Sequence, residues 1–327
     1  MVTGKRLVIF TEGDIVRGLG HVSRCSAYAQ AWSERGGQVC WILDGDPAAA
    51  AAAGSGQFVI RRRWQEDERF ALDVRPAVAL VDSYVASAGT LDAVAAVADL
   101  AVFIDDLGRS YPPGIVVHPA PDGLATNTAW LEGPSWQPLR PPFWDLPARL
   151  PSQPEIERIL VVLGGGDLRG IGVDLARLAS EVFPSAEIDL VAGAGRPAPA
   201  PTPRLTVHQA IDATAMASLM LGADVAVTGA GQTVFELARC GTPAVLIGIA
   251  DNQQANLDHW PALCGYVSAG RWDDVDLREQ VMAALAGLAD PLVRSEVSRR
   301  ASGVVDGQGV RRLLDYLDRT AVQERVP

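Results

Sequence analysis

The chain is poor in cysteine, and its cysteines lack any spacing that would hold a metal. The four of them, Cys25, Cys40, Cys240 and Cys264, form no C-x-x-C pair and have no pair of histidines nearby. Zinc sites and the disulfide frameworks of small secreted domains both depend on such spacing. We therefore expect four reduced core residues, no bound metal and no cofactor.

Positive charge and long apolar runs are also scarce. The formal net charge is −11 over 327 residues, whereas proteins that bind nucleic acids through the phosphates carry a basic face. No apolar run approaches the roughly 20 residues that span a bilayer, and residues 1–5 lead into a strand-like run without a signal peptide. These features predict a cytoplasmic protein with no nucleic-acid partner and no membrane insertion.

The length and the 48% hydrophobic content suit two domains. Short β-branched runs alternate with alanine- and leucine-rich stretches at helical spacing, the pattern of parallel sheets covered by helices. The predicted strands are residues 6–11, 38–43, 58–62, 77–82 and 101–105, then 158–163, 187–192, 204–208, 224–228 and 244–248. The sequence thus predicts an α/β protein with two similar parallel sheets in tandem.

A proline-rich stretch separates the two series of strands. Six prolines lie between Pro138 and Pro154, and a segment with so few N–H donors forms neither a helix nor a central strand. We place the domain boundary there, between an N-terminal domain at residues 1–145 and a C-terminal domain at 155–327. Helices are predicted at 276–289 and 308–320, and the last is a candidate to pack back on the N-terminal domain.

Glycine-rich turns follow three of the predicted strands, and each precedes a predicted helix. Glycine at such a turn lets backbone amides approach an anion at a helix N-terminus, although it is also ordinary turn chemistry. None has the third glycine of a dinucleotide fingerprint or the Gly-Lys-Ser/Thr ending of a P-loop, which excludes nicotinamide cofactors and P-loop ATPases. The glycines are Gly18 and Gly20 in the first turn, Gly164, Gly165 and Gly166 in the second, and Gly229 and Gly231 in the third.

The third turn has the features of a diphosphate site. Gly231, Gln232 and Thr233 would open a helix whose amides and dipole suit a diphosphate. Glu236, on the exposed side of that helix's first turn, could accept both hydroxyls of a ribose, or it is simply a favourable acidic residue there. Further along, the side chains of Asn252 and Gln253 can donate to and accept from sugar hydroxyls at once.

Taken together, these motifs resemble those of a known group of enzymes. The chain is similar to the UDP-sugar hydrolases of pseudaminic-acid biosynthesis, which are relatives of the peptidoglycan UDP-N-acetylglucosamine transferase. The resemblance runs from the first strand to about residue 266. It rests on G-x-G-H-x-x-R at 18–24, Asp105-Asp106-Leu107-Gly108, Gly133-Pro134, Leu139-Arg140-Pro141, Gly-Gly-Gly-Asp at 164–167, the turn at 231–236 and Asp251-Asn252-Gln253.

The resemblance implies a metal-independent GT-B fold, with two tandem Rossmann-like parallel-sheet domains facing a cleft. It implies that the C-terminal domain binds the UDP-sugar, with residues 164–166, 231–233 and Glu236 near the nucleotide. It also implies that the N-terminal domain holds the acceptor, that His21 is the catalytic base, and that Tyr84 lies close to it.

Three departures from the family pattern leave the acceptor open. Residues 115–121 replace the family's Asp-Gln-Asn-like segment, Ser83 replaces a histidine before Tyr84, and Leu168 replaces a proline. Transfer to a small acceptor is favoured over hydrolysis by water because the Asp-Gln-Asn-like segment is lost and because tryptophans could stack on a planar acceptor, although they could equally be linker packing. They are Trp64, Trp130, Trp136 and Trp144.

A nucleobase acceptor, as in the cytosylglucuronate synthases, is one analogy for such transfer. A nucleotide-sugar sensor without catalysis is a third hypothesis, which intact His21 and Tyr84 disfavour.

His21 is the best placed of the four histidines to act as a general base. It follows two glycines at a predicted helix start, where the positive end of the dipole favours a neutral imidazole. The alternative is a satisfied residue at a helix N-terminus. His118 is a weaker candidate to touch substrate, whereas His208 and His259 are expected to be structural or exposed. Arg24, one turn after His21, would either face the same site or pair with a surface carboxylate.

Acidic pairs elsewhere have other interpretations. Asp44-Gly45-Asp46 has the D-x-D form that holds metals in other transferases, but Asp46 precedes Pro47 and is predicted to cap a helix. Asp105 and Asp106 are either part of the site or caps of a turn. The predicted reaction is a direct displacement at the anomeric carbon with inversion and with UDP as the leaving group.

Overall fold

A computed structural model of the chain describes residues 4–14, 17–54, 56–67, 75–121, 130–164, 167, 169–193 and 199–323. The chain divides into two compact units. The first consists of Met1–Pro141 together with Gln308–Pro327, and the second of Pro142–Gly307. The chain therefore leaves the first unit inside the proline-rich stretch and returns to it near its end.

The described part of the first unit contains a seven-stranded parallel sheet in the order β3-β2-β1-β4-β5-β6-β7. Its strands are β1 (Arg6–Gly13), β2 (Gln38–Gly45), β3 (Phe58–Arg61), β4 (Val78–Asp82), β5 (Leu100–Ile104), β6 (Ile115–His118) and β7 (Trp130–Glu132). Its helices are α1 (Gly20–Glu34), α2 (Pro47–Ala52), α3 (Ala88–Ala96) and, from the end of the chain, α10 (Gly309–Gln323). The strand order reverses between β1 and β4, and ligands of such sheets bind at the carboxyl ends of the strands beside that point.

The central strand shows why the first sheet forms. Leu7, Val8, Ile9 and Phe10 of β1 are all buried, as expected for a parallel strand covered on both faces. On one face, Phe10 packs against Trp64 with the rings edge-on at 5.5 Å. At the end of the strand, a Cβ on Gly13 would lie 2.9 Å from a methyl group of Val22. Glycine there allows the first turn of α1 to pack closely against the strand end.

The last helix completes the first unit. Leu313, Leu314 and Leu317 of α10 line a small apolar cavity together with Tyr28 and Trp32 of α1. Outside this apolar contact, Arg35, which follows α1, donates to Asp315 at 2.7 Å and to Asp318 at 3.3 Å. Within the described ranges, no helix is long and apolar enough to cross a bilayer.

The second unit repeats the same winding. In its described residues a six-stranded parallel sheet has the order β10-β9-β8-β11-β12-β13. Its strands are β8 (Arg158–Val162), β9 (Glu187–Val191), β10 (Leu205–His208), β11 (Val225–Gly229), β12 (Ala244–Gly248) and β13 (Val267–Arg271). Its helices are α4 (Gly172–Val182), α5 (Ala213–Gly222), α6 (Thr233–Cys240), α7 (Gln254–Cys264), α8 (Leu277–Gly287) and α9 (Pro291–Val304). Here the order reverses between β8 and β11.

The predicted fold class, two parallel-sheet α/β domains, is confirmed. Every predicted strand is present, and the helices predicted at 276–289 and 308–320 are α8 and α10. The strands β6, β7 and β13 and the helix α9 were not predicted. β6 and β7 have only four and three residues, and β13 contains Gly270, so none has a long apolar run, and their pairing with longer strands defines them.

Candidate active site

The first candidate residue, His21, lies in the opening turn of α1, directly beyond the carboxyl end of β1. Gly18 has a φ of +89° and Gly20 is the first residue of the helix. The N-cap position is held by Leu19, which makes no side-chain cap, and His21 is the second residue of the helix. Its imidazole is turned toward the end of the neighbouring strand β4.

His21 forms a close pair with Asp82, the last residue of β4. The Nδ1 atom lies 2.6 Å from Asp82 Oδ1. The carboxylate is fully buried, whereas the imidazole is 15% exposed. An ionised carboxylate accepts hydrogen bonds only, so Nδ1 donates to it, and in the neutral imidazole the lone pair is then on Nε2. A histidine in this tautomer can accept a proton through Nε2 while the carboxylate stabilises the cation that forms.

Arg24, one turn further along α1, holds the same carboxylate. Its side chain is only 3% exposed, Nε donates to Asp82 Oδ2 and Nη2 donates to Asp82 Oδ1 at 2.6 Å. The third nitrogen, Nη1, donates to Asp106 Oδ2 at 2.6 Å. The alternative expectation, a pair with a surface carboxylate, is therefore wrong, because β4 and β5 end beside α1 and bring carboxylates to it inside the unit.

Burial and neighbouring charges shift the pKa values of Arg24 and Asp82 in opposite directions. Burial alone would lower the pKa of Arg24, but Asp106 and Asp82 outweigh it and hold the pKa well above its ordinary value. Burial likewise acts to raise the pKa of Asp82, but the charge of Arg24 and the contact with His21 hold it well below its ordinary value. Arg24 and Asp82 are therefore both ionised inside the unit.

Tyr84 lies beside His21, as the resemblance implied. The two rings meet edge-on with their centres 4.3 Å apart, and the Tyr84 hydroxyl donates to Asp106 Oδ2 at 2.7 Å. Burial, followed by the charge of Asp106, raises the pKa of Tyr84 far above its ordinary value. The hydroxyl therefore remains protonated and is a hydrogen-bond donor to this carboxylate.

The segment after β4 is fixed by a buried carboxylate at the end of β1. Glu12 Oε1 accepts from the Ser83 hydroxyl at 2.9 Å and from the backbone N–H of Tyr84 at 3.0 Å. Arg109 donates to the carbonyl oxygens of Ser83, Tyr84 and Ala86. Ser83, which stands where the similar hydrolases have a histidine, therefore serves here to anchor this turn.

Asp105 and Asp106 have separate tasks. Asp105 accepts from the backbone N–H groups of Gly108 and Arg109 and from the hydroxyl of Tyr111, so it caps the turn. It also lies 2.8 Å from Nδ1 of His118, an imidazole with no exposed surface. The prediction that His118 touches substrate is therefore wrong for this structure. Short β6 ends in the interior and places His118 against Asp105.

Two of the four tryptophans proposed to stack on an acceptor lie in the interior. Trp64 has no exposed surface and donates through Nε1 to the carbonyl of Thr11 at 2.9 Å, and Trp144 is 3% exposed. The stacking interpretation fails for these two because they are core residues. Trp130 packs beside Tyr111, and Trp136 packs edge-on against Tyr316 of α10.

A cavity of about 560 Å³ opens on the same side of the first sheet. It is lined by Asp44, Arg63, Gln65, Glu66, Asp67 and Val85. Asp44 accepts from Arg17 Nη1 and Gln65 Nε2, both at 2.9 Å. Asp46 caps α2 by accepting from the N–H of Ala49, with Pro47 in the first turn, which confirms that prediction. Among the residues that the structure describes, no group of three or more His, Cys, Asp or Glu could hold a metal ion.

In the second unit, the turn after β8 is partly described. Gly164 has a φ of +83° and open space where a Cβ would stand, whereas Gly165 and Gly166 lie outside the described residues. Asp167 accepts from the N–H groups of Gly170, Ile171 and Gly172. This carboxylate thus anchors the approach to α4.

The turn after β11 opens a helix, as predicted. Gln232 immediately precedes α6, which begins at Thr233. A Cβ on Gly231 would lie 3.2 Å from Nε2 of Gln253, so glycine allows that amide to pack against the turn. Glu236 is only 8% exposed, which corrects its predicted place on an exposed side. The residues around it in α6 are buried as well, because this short helix packs against α5 and α9.

The amide side chains after β12 are largely committed to the backbone. Gln253 Oε1 accepts from the N–H of Ile249 at 2.9 Å, and Asn256 Nδ2 donates to the carbonyl of Ala230 at 2.8 Å. These bonds join the end of β12 to the turn before α6. Asn252 is exposed and remains the candidate of this segment with the greatest access to a ligand.

Arg169 was not predicted, although it follows the glycine turn of β8. Its Nε donates to the carbonyl of Ile249 at 3.0 Å, and its guanidinium carbon lies 4.4 Å from the ring centre of Trp272. A stacked and tethered guanidinium still has donors on its two outer nitrogens. The sequence feature that could have identified Arg169 is its position, a basic residue directly after a glycine-rich turn.

Comparison with known proteins adds the fold-level context. No family model and no curated protein matches the sequence. Among solved structures, the chain is similar to CalG4, the calicheamicin glycosyltransferase, with a TM-score of 0.67, 16% identity and 99% of each chain covered. It is also similar to MurG of Acinetobacter baumannii, with a TM-score of 0.66, 14% identity, and 96% of this chain and 99% of that one covered. The chain has the GT-B fold. A third similar structure is the spinosyn rhamnosyltransferase SpnG complexed with thymidine diphosphate, with a TM-score of 0.64, 13% identity, and 95% and 100% covered.

The GT-B fold explains which predicted residues come together. In the first sheet, β1 and β4 lie side by side, so the helix after one and the end of the other bring His21 to Asp82. In the second sheet, β8, β11 and β12 are neighbours, so Gly164, Gly231 and Gln253 share one edge. Asp82 escaped prediction although it precedes Ser83 and Tyr84. Its place at the end of a strand beside the reversal point was the signal.

Proposed function

We propose that this protein is an inverting, metal-independent glycosyltransferase that moves a sugar from a UDP-sugar to a small-molecule acceptor. The observation that carries the proposal is the His21–Asp82 pair, with Nδ1 and Oδ1 2.6 Å apart, in a fold shared with glycosyltransferases. A neutral histidine whose orientation a buried carboxylate fixes is the arrangement that activates an oxygen or nitrogen nucleophile.

The reaction is a single displacement. His21 Nε2 takes the proton of the acceptor hydroxyl or amine, and the freed electron pair forms a bond to the anomeric carbon. The bond between that carbon and the phosphate oxygen breaks on the opposite face, and its electron pair leaves with UDP. The anomeric configuration is inverted. The resulting imidazolium is stabilised by Asp82, which stays ionised throughout.

We assign the nucleotide to the carboxyl edge of the second sheet. Backbone amides at the start of α6, with the positive end of its dipole, suit the diphosphate that leaves. The residues proposed there are Gly164, Gly165, Gly166, Gly231, Gln232 and Thr233, with Glu236 on the ribose and Asn252 and Gln253 on the sugar. Arg169 adds a positive charge on the same edge. SpnG holds thymidine diphosphate, another pyrimidine nucleoside diphosphate, which supports this class of donor.

The acceptor site is proposed on the first unit. Gly18 and Gly20 leave the opening turn of α1 accessible beside His21, and the cavity of about 560 Å³ has the size of a small-molecule site. Val85 lines this cavity and directly follows Tyr84, which packs against His21. Two of the similar structures are CalG4, the calicheamicin glycosyltransferase, and SpnG complexed with spinosyn aglycone. They support a small acceptor such as a natural product, and a nucleobase remains a candidate.

Hydrolysis of the UDP-sugar is the second candidate function, because water can replace the acceptor without any change in the base. The similar structures named above are transferases, and this favours transfer. Ser83 bonds to Glu12 and to the N–H of Ala86, and His118 lies against Asp105 in the interior. These positions therefore stabilise the fold rather than presenting the polar residues of the similar hydrolases.

The test is product analysis by mass spectrometry with a panel of UDP-sugars, each with and without candidate acceptors that include free nucleobases. Transfer predicts a sugar–acceptor conjugate and UDP in equal amounts, and NMR of the conjugate should show an inverted anomeric centre. Free sugar released equally with and without acceptor would establish hydrolysis instead. If calorimetry detected no binding of UDP, both proposed functions, transfer and hydrolysis, would be wrong.

A further inference from the structure

Arg24 makes contacts that the displacement reaction does not itself require. It is a buried guanidinium on α1 that uses three nitrogens on two carboxylates, Asp82 and Asp106. One of these nitrogens, Nη2, lies 3.4 Å from Nδ1 of His21. Both of those nitrogens are donors when His21 donates to Asp82, so this approach brings a permanent positive charge against the imidazole without forming a hydrogen bond.

The described charged and titratable groups around His21 come from several elements. Asp82 ends β4 and contacts His21 directly, whereas Asp106, after β5, contacts Arg24 and the Tyr84 hydroxyl. Glu12, at the end of β1, accepts from Tyr84 N–H, and Cys25 of α1 donates to Asp82 at 3.7 Å. In the glycine turn, Asp14 and Arg17 pair with each other, and Arg17 also pairs with Asp44.

Arg24 and Asp82 have opposite effects on the imidazole. A carboxylate in contact with a histidine favours the protonated ring, and protonated His21 has no lone pair for the acceptor's proton. A positive charge at the distance of Arg24 favours the neutral ring. Because an arginine does not lose its proton in a protein, this opposition persists at every working pH.

We propose that Arg24 is the positioning residue that keeps His21 in its neutral, proton-accepting form while holding Asp82 in the orientation that fixes the Nδ1–H tautomer. The inference rests on the proposed role of His21 as base. It adds that the guanidinium of Arg24, in contact with the His21–Asp82 pair, sets the pH range of activity. Lysine at this position would keep the charge but would lose the fork that grips both oxygens of Asp82.

The direct test is an NMR titration of the full chain labelled with ¹⁵N-histidine. The chain has four histidines, and loss of one imidazole signal set in His21→Asn assigns His21. We expect Arg24→Met to move the midpoint of the His21 titration upward by about one pH unit or more, the effect of one charge at contact distance. Arg24→Lys should move it less than half as far. With a working donor, the acid limb of kcat/KM should move by the same amount.

Arg35→Met is the matched control. Arg35 directly follows α1, the helix that contains His21, and it also pairs with two aspartates, Asp315 and Asp318. This variant removes the same charge and should leave the His21 midpoint in place. A midpoint within about 0.3 pH unit of the wild type in folded Arg24→Met would overturn the proposal, as would an equal shift in Arg35→Met. A merely structural arginine would lower stability without moving the midpoint.

Arg24→Met leaves two carboxylates without their buried partner, which can prevent folding. The double variant Arg24→Met/Asp106→Asn removes one charge of each sign and leaves His21 with Asp82 alone, so the same upward shift is expected from it. The titration needs no substrate. If His21→Asn retained full turnover, the base in the proposed function would be wrong, whereas the effect of Arg24 on the His21 titration would still be measured independently.

Discussion

Replacing His21 tests the proposed chemistry most directly. In His21→Ala and His21→Asn, the acceptor loses the group that takes its proton, and the rate should fall roughly 10²- to 10⁴-fold, the usual contribution of a positioned general base. The loss should appear mainly in kcat, because the nucleotide is assigned to the other unit.

The structure also gives the expected cost in stability. His21 contributes one hydrogen bond to a charged group, Asp82, which is worth roughly 1.5–3 kcal/mol. Arg24 remains on both oxygens of that carboxylate in the variants, so Asp82 is not left unpaired. We therefore expect the folded protein to persist with a free energy of unfolding lower by about 1.5–3 kcal/mol.

His208→Asn is the matched control for this experiment. His208 also pairs with an aspartate, Asp189, at 2.7 Å and is partly exposed. Its replacement should cost similar stability and leave the rate per folded molecule unchanged. Thermal denaturation beside steady-state kinetics separates the two effects. A folded His21 variant with near-normal turnover would refute the assignment of the base and leave the nucleotide site unaffected.

Further variants test the remaining parts of the site. Asp82→Asn should be less stable than the wild type near neutral pH. Because the pKa of Asp82 is lowered in the folded state, its ionic contribution is present above about pH 4 and is lost as pH falls through the folded value, so denaturation curves should converge in acid. Glu236→Gln should weaken UDP binding by about 1.5–3 kcal/mol in calorimetry, and unchanged affinity would remove Glu236 from the ribose. Arg169→Met should weaken binding of UDP more than of uridine, since only UDP carries the diphosphate, and equal losses would exclude a phosphate contact. Turnover should be complete in excess chelator, and a dead enzyme restored by magnesium or manganese would contradict metal independence.

The sequence predicted the sheets well because parallel strands buried on both faces are continuous apolar runs. Residues 7–10 and 159–162 illustrate this. Each run is buried and forms a central strand of its sheet, β1 or β8, beside the point where the strand order reverses. By contrast, β7 owes its existence to pairing with β6, and β13 to pairing with β12. Such strands are determined by partners outside their own residues, so local patterns do not identify them.

At the candidate site, the sequence did not predict which side chains are buried. The family resemblance implied that His21 and Tyr84 lie close together, but it did not show that Asp82 and Arg24 meet inside the unit. Trp64 was expected to be open to an acceptor and Glu236 to lie on an exposed side of its helix, yet both are buried by neighbouring elements. Residue type indicates what a side chain can bind, whereas only the packing of neighbouring elements decides whether it faces solvent.

The return of the chain to its first unit has a consequence for synthesis on the ribosome. The second unit is one continuous segment, Pro142–Gly307, and α10 of the first unit follows it. The leucines that cover Tyr28 and Trp32 are thus among the last residues to be made. The first unit, which contains His21, therefore stays partly uncovered while the whole second unit emerges and can fold. The second unit is therefore able to fold before the unit that contains His21 is complete.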